Sequence, residues 1–144
     1  MIRTERAMAL FKEGFSCSQA VAAVWAEDLG LPQTTVLRIA QPFGGGIAKT
    51  GSWCGAVTGA FLVIGLKHGR DKAGDTAARD KTYALVREFI RRFSERNGDV
   101  DCRDLLGCDI GTPEGQKIIA DRNLHETICE RLVRDAVEIL EVIL

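Results

Sequence analysis

Five cysteines, at positions 17, 54, 102, 108 and 129, stand in a chain of 144 residues that carries only two histidines. That is more thiol than packing requires, and where structural disulfides are not expected a cysteine group points to redox exchange or metal binding. Three of the five fall at expected helix starts. Ser52 is an N-cap candidate before the apolar run to Leu66, so Cys54 is expected in a first helical turn. Cys17 follows Ser16 in the capping-box spacing Ser16-x-x-Gln19, and Cys102 follows the N-cap candidate Asp101. A thiol in such a place meets the positive end of the helix dipole and free backbone N–H groups, which favour the thiolate. Cys54 is expected to be the most acidic of the five.

The residues around these thiols extend the pattern. Gly55, Ala56, Gly59 and Ala60 leave one helix face nearly bare, so another backbone or a bound group can approach Cys54, with Gly55 and Gly59 as contact points for a cofactor. Gly44, Gly45 and Gly46 could form a nest of N–H groups around an anion or cofactor, or a tight turn without a ligand. No Lys-Ser/Thr pair follows them, so there is no phosphate-loop signature. His125 and Cys129, four residues apart on a helix, have spacing that can chelate a metal, although a histidine beside a core is more often structural. Cys102 and Cys108, separated by five residues, match no compact zinc pattern, and Cys108 reads as an accessory thiol. No Cys–His–Asp arrangement suggests a hydrolase.

Helices must hold these residues, because strand-like alternation is lacking over any useful length. Residues 3–13 form an amphipathic helix stopped at Gly14, and an almost wholly apolar helix runs from Cys17 towards Gly30. A short helix is expected over 33–40, and a buried Gly/Ala-rich helix from Cys54 to Leu66, closed by His68-Gly69. Thr76–Asn97 reads as a surface helix whose Arg87, Arg91, Arg92 and Arg96 either dock an acidic partner or pair with Glu88 and Glu95; the interleaving favours pairing. Thr112-Pro113 opens another helix. The last, from about Leu124, buries Cys129, Leu132, Val133, Ala136, Leu140 and Ile143. The expected fold is an all-α, single-domain bundle of five to seven helices around the buried Gly/Ala-rich helix.

A net charge of −1 gives no electrostatic case for nucleic acid or an anionic membrane surface. The run from Trp53 to Leu66 is too short to span a bilayer, and the charged N-terminal residues do not resemble a signal peptide, so a cytoplasmic location is expected.

The order Cys17, Cys54-Gly55-Ala56-x-x-Gly59, Cys102, Cys129 resembles the C_GCAxxG_C_C family, to which a redox function is ascribed. Phe43-Gly44-Gly45-Gly46-Ile47 and Cys102-Arg103-Asp104-Leu105-Leu106-Gly107 are similar to further family features, and the likeness covers nearly the whole chain. It implies a small helical protein of bacterial or archaeal type with its four family cysteines at Cys17, Cys54, Cys102 and Cys129, and leaves Cys108 as an extra. It supplies no substrate.

Three readings remain open. In the first, Cys54 is an attacking thiolate resolved by Cys17 or Cys102, in thiol–disulfide or electron-transfer chemistry of an oxidoreductase kind with an unidentified redox partner protein. In the second, Cys17, Cys54, Cys102 and Cys129, with His125 as a weaker candidate, bind an iron–sulfur cluster or zinc. In the third the thiols stay reduced and the chain is a scaffold or subunit. A homodimer is compatible with each. Both the first and the second require the four cysteines to cluster.

Overall fold

The computed structural model describes residues 2–144, and among them it is helical throughout, with no β-strand. There are eight α-helices: α1 (Arg3–Glu13), α2 (Cys17–Ala23), α3 (Gln33–Ala40), α4 (Gly55–His68), α5 (Thr76–Asn97), α6 (Cys102–Leu106), α7 (Pro113–Asp121) and α8 (Glu130–Ile143). That is one above the expected five to seven, because the one- to three-turn segments form as separate helices. A π-helical turn, His125–Cys129, leads directly into α8.

The local signals act as their chemistry dictates. Gly14 ends α1 in a left-handed conformation, with φ of 117°. At the start of α2 the Gln19 side chain accepts from the Ser16 N–H at 3.0 Å while the Ser16 hydroxyl accepts from the Gln19 N–H at 3.4 Å, completing the capping box. Asp101 accepts from Arg103 N–H and Thr112 from Gly115 N–H, each at 3.0 Å, capping α6 and α7. Two helices differ from expectation. α2 stops at Ala23, after which residues to Gly30 continue as turns with Trp25 and Ala26 bonded to carbonyls three residues back. α4 starts after Cys54 and not within reach of Ser52, because Trp53 is drawn into an isolated antiparallel bridge with Asp101.

The main core is built from Val21 of α2, Val36 of α3, Val57, Val63 and Ile64 of α4, Phe89 and Phe93 of α5, and Leu132, Val133, Val137, Ile139 and Leu140 of α8. α2 packs on α1, α3, α4 and α8, and α4 packs also on α5 and α8. The first half of α4 is buried, but its outer face surfaces in the second half, where Leu66 is 42% exposed. A smaller apolar cluster of Cys102, Leu106, Ile110, Ile119, Leu124 and Cys129 lies beside the core, and Cys17 packs against both. On α5 Arg91 binds Glu88 and Glu95 and Arg92 binds Glu88, as their spacing suggested, whereas Arg96 reaches Glu138 of α8 and Arg87 forms no ion pair among the described residues. These pairs are exposed, so each adds little stability.

The contact between α2 and α4 depends on missing side chains. A Cβ on Gly59 would lie 2.7 Å from the Ser18 carbonyl oxygen and 3.0 Å from its Cα, and one on Gly55 would lie 3.2 Å from Ser18 N and 3.3 Å from Cys17 Cβ. Backbone atoms cannot yield as a flexible side chain can. We therefore expect Gly59→Val to lower stability by about 1–3 kcal/mol, a loss exceeding any gain in helix propensity, and to lower the melting temperature by several degrees. An unchanged thermal melt would show that the two helices separate without cost.

Candidate functional site

Four elements deliver four thiols to one cleft of about 1110 Å³. Cys17 opens α2, Cys54 is the residue before α4, Cys102 opens α6, and Cys129 closes the π-helical turn; all four line the cleft. Two of them are fixed by backbone pairing. Cys54 N–H donates to Val100 O at 2.8 Å and Cys102 N–H to Ser52 O at 2.6 Å, on either side of the Trp53–Asp101 bridge. α2 is fixed at its own start by Ser18, whose hydroxyl donates to Ala40 O at 2.8 Å, and by Gln19, whose amide donates to Leu37 O and to Gln41 Oε1, each at 3.0 Å. Buried polar side chains held this way specify position more than they add stability.

The glycine segment forms one wall. Gly44, Gly45 and Gly46 line the cleft, and a Cβ on Gly46 would lie 2.6 Å from Cys102 Cβ and 2.8 Å from Ser52 N. Gly45, Gly46, Ile47, Ala48 and Lys49 all have positive φ, between 51° and 68°, so the wall is a left-handed turn. For the last three residues this conformation is costly, by roughly 1–2 kcal/mol each. Gly55 also lines the cleft, whereas Gly59, expected to contact a cofactor, does not; its role is the helix contact with Ser18.

The thiols are not equivalent. Cys17 and Cys129 line the same cleft, and the Cys17 thiol is the largest cause holding Cys129 well below the ordinary thiol range, at about 6. Burial opposes this, and the exposed His125 imidazole assists it by hydrogen bonding and charge. Cys129 in turn raises His125 and, separately, pushes Cys17 well up, with burial adding to the latter. Burial pushes Cys54 up to about 12 despite the Ala56 and Val57 N–H groups that oppose it. Cys102 is likewise pushed up to about 12, by burial first and then by the neighbouring thiols. The expectation that Cys54 would be the most acidic is thus corrected. A helix N-terminus offers it two amides, but at 4% exposure desolvation outweighs them, while Cys129 has the Cys17 thiol and the His125 imidazole to lower it.

All five cysteines are free thiols. Cys108 does not line the cleft and its sulfur approaches Gly115 O at 3.8 Å, in keeping with an accessory position. As arranged, the side chains do not fit a metal: among the described residues no three of His, Cys, Asp and Glu stand together as a ligand set. The four-residue spacing of His125 and Cys129, compatible with chelation but more often structural, corresponds here to an imidazole that acts on the thiol's ionisation. The Trp53–Asp101 bridge and the left-handed run carried no sequence signal beyond the glycines.

A family model described as "Putative redox-active protein (C_GCAxxG_C_C)" matches residues 15–143. The chain belongs to the C_GCAxxG_C_C family. No curated protein and no solved structure was found to match it. The family match spans all four cleft cysteines, Gly44–Gly46 and the α4 glycines, so the family's redox description applies to the part of the chain that builds the cleft. Among the described residues no helix is long and apolar enough to cross a membrane.

Two outcomes are expected for this C_GCAxxG_C_C protein. At pH 7 iodoacetamide should modify Cys129 ahead of Cys17, Cys54 and Cys102, read peptide by peptide by mass spectrometry. His125→Ala should slow Cys129 severalfold at neutral pH but not in strong alkali, where the thiol ionises unaided. Equal labelling of Cys54 and Cys129 would contradict the assignment. The buried thiols also tie stability to pH. A thiol whose folded pKa is raised stabilises fully below its unfolded pKa, near ~8.5, and loses that contribution as pH climbs towards the folded value of about 12. Stability should fall above about pH 8.5, by up to about 1.4 kcal/mol per pH unit for each such thiol, with the melting temperature falling alongside, and Cys54→Ala should flatten the slope. A melt constant from pH 8 to 11 would refute this.

Proposed function

We propose that this protein performs two-electron thiol–disulfide exchange with Cys129 as the attacking thiolate and Cys17 as the resolving thiol. What supports the reading is that Cys17, His125 and Cys129 line one open cleft, where the neighbouring Cys17 thiol and His125 imidazole hold Cys129 down at about 6. A thiolate is the nucleophile in disulfide exchange, and a lowered thiol pKa raises its share at neutral pH.

The step balances as follows. Cys129 Sγ attacks one sulfur of a substrate disulfide, forming a mixed disulfide and releasing the other sulfur as a thiolate. Cys17 then loses its proton and attacks Cys129 Sγ, releasing the second substrate thiol and leaving a Cys17–Cys129 disulfide. Two electrons pass to the substrate, and the substrate sulfurs leave as thiols once protonated by Cys17 and solvent. Cys54 and Cys102, being neutral and desolvated, shape the floor and are not part of the exchange; this moves the attacking role from Cys54 to Cys129.

Oxidation with diamide followed by peptide mapping under non-reducing conditions tests the pair. We expect a Cys17–Cys129 disulfide as the main product. Cys17→Ser should stop at a mixed disulfide on Cys129, Cys129→Ser should abolish exchange, and Cys102→Ser should leave it within a few-fold of the parent. Five thiols still titratable after oxidation, or a main disulfide that omits Cys129, would defeat the reading. Iron or zinc copurifying in stoichiometric amount and lost equally on replacing any of the four cysteines would replace it with metal binding.

A further inference from the structure

The shape and charge of the cleft say what kind of disulfide can reach the pair. Cys129 is 6% exposed, Cys54 4% and Cys102 8%, while Cys17 is half-buried, so three of the four thiols, the attacking one included, lie on a floor and not on a surface. A disulfide on a folded partner cannot align with a recessed sulfur without unfolding locally, whereas a small molecule can enter. A volume of about 1110 Å³ slightly exceeds that of usual small-molecule sites, ~300–1000 Å³, so a small disulfide fits inside it.

The rim carries both signs of charge. Lys12 and Lys49 line the cleft together with Glu13, Glu126 and Glu130. None of these five takes part in the ion pairs formed among the described residues. Lys49 is held there by the left-handed turn, its φ being 63°, and its stem crosses Gly45, where a Cβ would lie 2.8 Å from Lys49 Cγ. Ile47, Ala48 and Lys49 are all kept in the left-handed region, and Ala48 and Lys49 line the cleft; such strained features concentrate where a ligand is held. A rim of unpaired cations and anions above a floor of thiols matches a ligand that has ammonium and carboxylate groups at its ends and a disulfide between them.

We propose that the oxidant of the Cys17–Cys129 pair is a low-molecular-weight zwitterionic disulfide, the disulfide of an amino-acid-like thiol, and not the disulfide of a folded protein. This rests on the dithiol reading. One molecule of the disulfide is reduced to two thiols as Cys17 and Cys129 are oxidised to one disulfide. Lys49 and Lys12 take the carboxylates, and the rim glutamates take the ammonium groups. These are positioning residues; the reacting atoms are sulfur.

The test uses the full chain, reduced, and follows formation of the Cys17–Cys129 disulfide by mass spectrometry with five oxidants. These are cystine, which is zwitterionic; cystamine, a dication; 3,3′-dithiodipropionate, a dianion; insulin, as a protein disulfide; and diamide, which needs no rim contact. Cystine should react at least about tenfold faster than cystamine, dithiodipropionate or insulin. Lys49→Asn, which keeps a residue tolerant of the left-handed conformation, should slow cystine and dithiodipropionate severalfold but leave cystamine and diamide unchanged. Glu13→Gln should slow cystine and cystamine and spare dithiodipropionate and diamide. Equal rates for the three small disulfides, insulin as fast as cystine, or two variants that change diamide and cystine alike would overturn the substrate assignment while leaving the dithiol pair intact. Failure of diamide itself to join Cys17 to Cys129 would overturn both.

Discussion

The backbone-to-backbone approach of α2 and α4 is the constraint on which the cleft depends. It exists because Gly55 and Gly59 present hydrogen where any other residue would present carbon, and Ser18 fills that space with its own main chain. Had the helices stood apart by even one methyl group, Cys17 would leave the floor it shares with Cys54, and the polar ties from Ser18 and Gln19 to α3 would lose their geometry. Close packing of this kind does not relax smoothly, since interiors are as dense as organic crystals. The hydrophobic core supplies the cohesion, and the two glycines decide where the cohesive elements meet.

Charge in the cleft follows from that closeness. Thiols brought together in a desolvated space disfavour each other's ionisation, and the effects on Cys17, Cys54 and Cys102 all run upward. Cys129 alone among the four is shifted downward, by the Cys17 thiol first and by the His125 imidazole after it. The π-helical turn matters for the same reason. It sets His125 and Cys129 just ahead of α8, so that the histidine stays exposed while the cysteine is buried; π turns of this sort recur at functional sites. Membership of the C_GCAxxG_C_C family accords with a chain whose thiols are differentiated in this way.

Much of the framework was legible from residue types. The capping box at Ser16 and Gln19, the caps at Asp101 and Thr112, the stop at Gly14 and the stripe along α8 each follow from local hydrogen bonding or a 3.6-residue period, which need only neighbours in the chain. Three of the cysteines that line the cleft, Cys17, Cys54 and Cys102, stood out as thiols at expected helix starts, and the resemblance to the C_GCAxxG_C_C family added Cys129. The smaller errors lie at helix ends: Cys54 proved to be the cap and not the first turn, because a distant residue, Asp101, competes for the backbone of Trp53.

The sequence by itself determined the helices and the residues that pack between them, since these rest on local periodicity and on side-chain size, and its resemblance to the C_GCAxxG_C_C family marked the four cysteines of the cleft. Only the tertiary structure decided which thiol is acidic. That depends on desolvation and on neighbours from other parts of the chain, Cys17 beside Cys129 across more than a hundred residues of sequence. Helix position favoured Cys54, but a through-space term between residues far apart in sequence outweighed it, and no local pattern encodes a through-space term.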